Sequence, residues 1–206
     1  GNRAFTDETL LRLMDAGVPA PFGLLSQRDR YAKQKLSGDL ERLRSFYLDR
    51  GYLKFDIHSS QVSISPDKRA IYITVNLHEG ERYRVSQVAL AGDLPVPEHE
   101  LRELIEFQAG EWFSRGKIVA SSEAIATRLG DEGFAFAHVN PVPEVDEAER
   151  QVALTLFVDP GQRVYVNRID FRGNQRTQDE TLRREMRQME GSWYATSKIE
   201  RSKTRL

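Results

Sequence analysis

An internal repeat with a period of about 82 residues constrains this sequence more than any other feature. A helix-like segment ends at Gly51-Tyr52, and a similar one ends 82 positions later at Gly133-Phe134. Further landmarks recur in the same order at intervals of 81. They are Gly80 and Gly161, the Gly-X-Trp-aromatic motifs at 110–113 and 191–194, and the turns Gly92-Asp93 and Gly173-Asn174. Gly1-Asn2 matches these turns but lies 91 positions before Gly92. We therefore expect three tandem modules, residues 1–81, 82–162 and 163–206, the first carrying an extra loop around 16–27.

The middle module shows the full order of elements. A β-branched run at 83–90 predicts a strand, Pro97 begins a short helix, and Ile118, Ile125 and Leu129 mark a second, amphipathic helix. Two more strands are expected at 134–145 and 151–158, joined by the polar turn at 146–149. The predicted fold class is α+β, in which each repeat has the order β-α-α-β-β and two helices cover a three-stranded mixed sheet.

The outer two modules are predicted to be incomplete versions of the same unit. The first lacks the opening strand, has a second helix with Leu36, Leu40, Leu43 and Tyr47 on one face, and has a hairpin of 61–65 with 70–77. The third has a strand at 163–172, a helix at 181–190 and the start of a second helix after Thr196, without a hairpin. No Gly/Ser linker separates the modules, so short joints are expected.

The composition favours interaction modules over enzymes. A net charge of -1 and the absence of cysteine give no reason to expect nucleic acid, a thiolate metal site or a cysteine nucleophile. The four histidines lack metal-ligand spacing, and no phosphate or dinucleotide loop is present. Trp112 and Trp193 recur at fixed places, which favours core packing over stacking on nucleic acid. We expect no catalytic residues, cofactor or metal.

Free strand edges are the first candidate binding surface, because a three-stranded sheet leaves an unpaired edge. The hairpin strand of the first module, Gln61, Val62, Ser63, Ile64 and Ser65, contains no proline and retains every backbone N–H. Its apolar residues change from odd to even positions between 58 and 61, which predicts a β-bulge. The equivalent strand of the middle module contains Pro141 and Pro143, which lack an N–H on the same side of the strand and would block its edge if that side faces outward. The alternative is that polar residues simply guard both edges.

A charged stripe on the first helix of the third module is the second candidate. At helical spacing, Leu182, Met186 and Met189 should face the sheet, while Arg183, Arg187 and Glu190 form a separate stripe. Without further information, such a stripe is most often a solvated helix face.

The whole chain resembles the POTRA repeats of the Omp85 family, on the segments at 47–52, 80–83 and above all 182–191. By this resemblance the modules are the third, fourth and truncated fifth repeats of an outer-membrane assembly arm on the periplasmic face of the membrane. The resemblance implies binding of unfolded outer-membrane proteins delivered by a periplasmic chaperone, and a C-terminal membrane barrel outside this chain. It also implies docking of the lipoprotein BamD at Arg183, Arg187 and Glu190, and of BamB near the first repeat.

Two alternatives remain open at this stage. One is the POTRA arm of another Omp85-type translocase, such as TamA, or of a two-partner secretion transporter, although the run at 182–191 argues for an assembly factor. The other is an enzyme built from two ferredoxin-like halves. It would require a cleft with convergent acid or base residues.

Overall fold

A computed structural model describes residues 1–14, 27–67, 71–174 and 177–206. These residues form two compact units. The first comprises Gly1–Val85 together with Gly110–Gly116 and Asp146–Val152, and the second comprises Ser86–Ala109, Lys117–Val145 and Ala153–Leu206. Within the described ranges, every helix falls short of the length or the apolar character needed to cross a membrane.

The first repeat contains two helices and a hairpin, as its sequence predicts. Its elements are α1 (Asp7–Leu13), α2 (Gln27–Leu48), β1 (Asp56–Ile64) and β2 (Ile71–His78). β1 begins five residues earlier than expected and is antiparallel to β2. The predicted loop around 16–27 and the start of the second predicted hairpin strand at Ala70 fall largely outside the described residues.

The core of the first repeat is centred on Tyr47, one of the periodic residues of α2. The Tyr47 ring is fully buried and stacks on Phe55 with 4.2 Å between ring centroids. Its hydroxyl donates to a Glu79 carboxylate oxygen at 2.8 Å. Burial, followed by the hydrogen bond to Glu79, raises the pKa of Tyr47, so the phenol stays neutral. The buried apolar residues packed together here are Leu10, Leu43, Tyr47, Phe55 and Leu77.

The middle repeat has the predicted order of elements, β3 (Arg84–Gly92), α3 (Glu98–Arg102), α4 (Arg115–Asp131), β4 (His138–Asp146) and β5 (Gln151–Asp159). Its sheet has the order β3-β5-β4. Arg84 N–H donates to the Arg150 carbonyl at one end of β3, and Asp93 N–H donates to the Val158 carbonyl at the other. β3 is therefore parallel to β5, and the sheet is mixed. Alternate residues of β5 are buried, namely Val152, Leu154, Leu156 and Val158.

The third repeat departs from the sequence prediction in two places. Residues 163–172 were expected to form a strand, but the structure gives them only one isolated bridge, between Tyr165 and Trp193. A strand requires a partner, and the described part of this repeat contains no hairpin with which to pair. The predicted helix at 181–190 is instead α5 (Asp179–Glu185), followed by α6 (Thr196–Arg205).

The early end of α5 changes the predicted stripes. Met186 has extended φ and ψ of -65° and 137°, and its N–H bonds to the Arg183 carbonyl. Met189 is 59% exposed, so the prediction that it faces the sheet was wrong. Arg187 and Glu190 lie beyond the helix, so the prediction of a helical stripe with Arg183 was wrong as well.

Candidate binding surfaces

The candidate strand-addition edge lies on β1, at the outside of a two-stranded sheet. Gln61, Val62, Ser63 and Ile64 pair with residues of β2, and Ser65 directly follows the strand. In the part of the chain that the structure describes, the other side of β1 carries no strand. Val62 on this hairpin is 55% exposed, and Tyr72 of β2 is 61% exposed. The hairpin thus presents backbone hydrogen-bonding groups together with apolar side chains.

A β-bulge interrupts β1 at His58. Ile57 pairs with Leu77 and Ser59 pairs with Asn76, which leaves His58 as the extra residue. The bulge lies within the predicted stretch 58–61, so the prediction from the phase change is confirmed. It also brings the His58 and His78 rings within 6.0 Å of each other, centroid to centroid. Spacing along the chain gave no hint of this contact.

The middle sheet has two edges, β3 and β4, of which only β4 was predicted as an edge from the sequence. β4 contains Pro141 and Pro143, and the prediction that it is an edge strand is confirmed. Because these prolines are two residues apart, they remove N–H groups from one side of the strand. The start of β3 is covered on its outer side, since Val85 N–H donates to the Glu111 carbonyl and its own carbonyl accepts from Gly110 N–H.

Glu190 and Arg183 form a contact that does not depend on helical spacing. Glu190 Oε1 accepts from the Ile169 N–H at 2.8 Å and from Arg183 Nη1 at 3.0 Å. The Ile169 hydrogen bond, and then Arg183, hold the pKa of Glu190 below its usual range. Arg183 also donates to Asp179 and to the Ile169 carbonyl. Two of the three predicted docking residues are therefore held together by bonds within the repeat.

Arg187 is arranged differently from the other two predicted docking residues. Its guanidinium donates only to the carbonyls of Arg184 and Met186, at 3.3 and 3.4 Å, and it has no acidic partner among the described residues. Its backbone N–H is held by the buried hydroxyl of Ser202 at 2.8 Å. Arg187 is thus an exposed, unpaired cation whose backbone is held in place by Ser202.

Gln188, which the sequence analysis missed, holds the loop that follows α5. The side chain is 1% exposed. Its Nε2 donates to Ser192 Oγ at 2.8 Å and to the Trp193 carbonyl at 3.0 Å, while its Oε1 accepts from Ala195 N–H at 2.9 Å. A glutamine within a charged stretch gives no sequence signal of burial, because its role is set by the loop that closes around it.

The joint between the first and middle repeats lies within the first compact unit and is built from backbone and carboxylate hydrogen bonds. Tyr83 N–H donates to the Gly51 carbonyl at 2.8 Å, and Arg82 Nε donates to the Arg50 carbonyl at 2.8 Å. Asp49 Oδ1 accepts from Gly116 N–H, the second residue of α4, at 2.6 Å. The Asp49 carboxylate therefore serves the start of α4 as an N-cap side chain would.

The same bonds recur, 81 or 82 positions later, at the joint within the second unit. Val164 N–H donates to the Gly133 carbonyl at 2.9 Å, and Arg163 Nε donates to the Glu132 carbonyl at 2.6 Å. Asp131 Oδ1 accepts from Ser197 N–H, the second residue of α6, at 2.8 Å. The repeat seen in the sequence is thus also a repeat of hydrogen bonds at the joints.

Each joint carries a tryptophan, Trp112 in the first and Trp193 in the second. The prediction that these two rings pack in the core was wrong. Trp112 is 37% exposed and Trp193 is 50% exposed. The guanidinium carbon of Arg82 lies 3.8 Å from the Trp112 ring centroid, and that of Arg163 lies 4.4 Å from the Trp193 ring. Stacking of a guanidinium on the indole keeps these rings near the surface.

Comparison with known proteins follows the same threefold division. A profile of the family described as POTRA, surface antigen variable number repeat, matches residues 1–80, 83–161 and 164–206. The chain belongs to the POTRA family. The resemblance inferred from the sequence is confirmed, and so is the α+β fold of its repeats.

Similar proteins are named as outer-membrane assembly factors. The POTRA chain is 34% identical over its whole length to the outer membrane protein assembly factor BamA of Neisseria meningitidis, and covers 26% of that protein. It is 32% identical over 98% of its length to BamA of Buchnera aphidicola, and covers 33% of it. The chain thus spans about a quarter to a third of these relatives.

A solved structure supports the fold of the POTRA chain along its full length. The crystal structure of Haemophilus influenzae BamA POTRA3-5 superposes with a TM-score of 0.87 at 32% identity. The match covers 100% of this chain and 80% of the solved one.

Proposed function

We propose that this POTRA chain is a periplasmic scaffold for outer-membrane protein assembly, which binds unfolded outer-membrane proteins by strand addition and docks accessory lipoproteins. Its relatives named as assembly factors support this role. A periplasmic chaperone is the proposed source of the clients, and a membrane barrel is the proposed continuation of the arm.

The β1 edge carries the proposal. An extended client that adds to this edge would bond to the backbone of 61–65, and such bonds do not depend on client sequence. A scaffold that serves many different clients must bind them whatever their sequence. Exposed Val62 offers an apolar contact on the edge strand itself. In contrast, β4 contains Pro141 and Pro143, and we propose that the side of the strand without these two donors is its outer edge.

Proline substitution at two adjacent positions of β1 tests strand addition. Neighbouring N–H groups of a strand point to opposite sides. One of the two variants, Val62→Pro and Ser63→Pro, therefore removes a bond to β2, and the other removes a donor from the free edge. The variant that keeps its hairpin folded, as judged by circular dichroism and urea unfolding, should bind an unfolded outer-membrane protein segment at least about tenfold more weakly.

The other proline variant is the matched control. It should lose a hydrogen bond between β1 and β2, so its hairpin should be less stable, while the donors at the free edge remain. Client binding that stays unchanged in the stably folded variant would contradict strand addition at this edge.

Lipoprotein docking is proposed at Arg183, Arg187 and Glu190, with BamD as the partner at this last repeat and BamB near the first. Arg187 supplies the unpaired cation for a carboxylate of the partner. Arg183 and Glu190 are joined at 3.0 Å and form the part of the proposed patch that is held by hydrogen bonds. This site is proposed as a small charged patch formed by Arg183 of α5 and by Arg187 and Glu190 of the loop that follows, in place of the helical stripe expected from sequence.

A second candidate is the arm of another Omp85-type translocase or of a two-partner secretion transporter. Such an arm would share the POTRA fold and the free edge, but it would bind its own substrate and no assembly lipoprotein. Binding of BamD therefore discriminates between the two functions.

A further inference from the structure

We propose that Arg82 and Arg84, which flank Trp112, form a binding site for a carboxylate group of a partner polypeptide. The site lies within the first compact unit and is separate from the β1 edge. It rests on the proposed function only in that the partner is taken to be a polypeptide.

Two guanidinium groups contact one indole ring at this site. The guanidinium carbons of Arg82 and Arg84 lie 3.8 and 4.0 Å from the Trp112 ring centroid. Each is also fixed by one hydrogen bond to a backbone carbonyl, from Arg82 Nε to Arg50 and from Arg84 Nη1 to Gly110, both at 2.8 Å. An arginine has five N–H donors, so most donors of both groups remain available in a fixed position.

These two cations lack an acidic partner among the described residues, although three glutamates line the same cavity. Glu81 pairs with Arg150 at 3.1 Å. Glu79 accepts from the backbone N–H groups of Arg3 and Ala4 and from the Tyr47 hydroxyl. Glu149 forms no ion pair with either arginine of the site. Two like charges held beside each other without a counterion are unfavourable until an anion binds.

Comparison of the two joints shows that the second cation is not needed to build the joint. Arg84 and Trp112 form an isolated bridge in the first, and Tyr165 and Trp193 form the equivalent bridge in the second. The position of Arg84 is thus occupied by Tyr165, whose ring meets Trp193 edge-on at 6.3 Å. The second joint forms with a tyrosine at this place, so the joint itself does not require the Arg84 cation.

The lining of this open groove favours a carboxylate on a polypeptide over a free anion. Beside the two guanidiniums, Tyr52 and Trp112 contribute aromatic surface that apolar neighbours of the carboxylate can contact. Two unpaired guanidiniums match one carboxylate, which they can bind through parallel N–H···O bonds. An acidic side chain flanked by apolar residues fits both features.

The test uses two fluorescent octapeptides that differ in one central residue, aspartate in one and asparagine in the other, each with phenylalanine on either side. The intact chain should bind the aspartate peptide about fivefold more tightly at moderate salt. Arg84→Tyr, which reproduces the second joint, should abolish this preference. Arg201→Tyr removes an exposed arginine elsewhere and should preserve it.

Three results would overturn the proposal. One is equal binding of the two peptides by the intact chain, and another is an unchanged preference in Arg84→Tyr. The third is Arg84-dependent binding to vesicles of anionic phospholipid without any preference between the peptides, which would assign the site to a lipid headgroup. Arg84→Tyr should leave client binding at β1 unchanged, so failure here is distinguishable from failure of strand addition.

Discussion

Replacement of Gly92 with alanine should lower the free energy of unfolding by about 3 kcal/mol or more. Gly92 ends β3 with φ of 95°, a conformation that alanine adopts only with strain. A Cβ atom at this position would lie 2.1 Å from the carbonyl oxygen of Val158 and 3.0 Å from its carbonyl carbon. These are backbone atoms of the central strand, so they cannot move aside as a flexible side chain could.

Gly173→Ala is the matched control for Gly92→Ala. Gly173 occupies the same repeat position in the same compact unit and has φ of 84°, but a Cβ there would meet nothing within 4 Å. Gly173→Ala should lower the free energy of unfolding only by the cost of backbone strain, about 1 kcal/mol. Urea unfolding monitored by circular dichroism measures both variants. Equal losses of stability would show that the contact with Val158 is not what requires glycine.

Charge reversal at Glu190 should weaken BamD binding by about tenfold or more at moderate salt. Lysine at this position would remove the acceptor for the Ile169 N–H and place a second cation against Arg183. The docking patch would then lose both its charge pattern and its geometry. Pull-down of BamD with the full periplasmic arm measures the effect, and unchanged affinity would count against this surface.

Glu190→Gln separates geometry from charge. The glutamine Oε1 can still accept from Ile169 N–H and Arg183, so the loop should keep its conformation while losing one negative charge. A glutamate carboxylate is already ionised near neutral pH, and the hydrogen bonds that lower the pKa of Glu190 act in the same direction. BamD binding by Glu190→Gln should fall between that of the native chain and that of Glu190→Lys.

The elements that could be predicted from sequence are those defined by local patterns. The order of the middle repeat follows from strand alternation, helical spacing and the recurring glycines, since each of these acts over a few residues. The bulge at His58 was predictable because one extra residue reverses the faces of all that follow. The joint aspartates, Asp49 and Asp131, also left a signal, since they recur at the repeat interval, although their capping role required the structure.

The features that were missed depend on contacts between distant residues. The spacing of 181–190 favours a helix, but the side chain of Gln188 bonds to the backbone of the next loop, and the helix ends before it. The segment 163–172 has strand-forming composition but lacks a partner strand among the described residues. Trp112 is placed near the surface by two arginines 28 to 30 positions away, which composition does not reveal.

The most direct test of the proposed scaffold compares client contact with β1 and with β4. The chain contains no cysteine, so Val62→Cys and Val142→Cys each introduce a unique thiol for a photo-crosslinker. These side chains are 55% and 41% exposed, so differences in access are small. With an unfolded outer-membrane protein segment, we expect crosslinking at position 62 to exceed that at position 142 several-fold. Equal crosslinking, or a preference for position 142, would contradict strand addition at the proline-free edge.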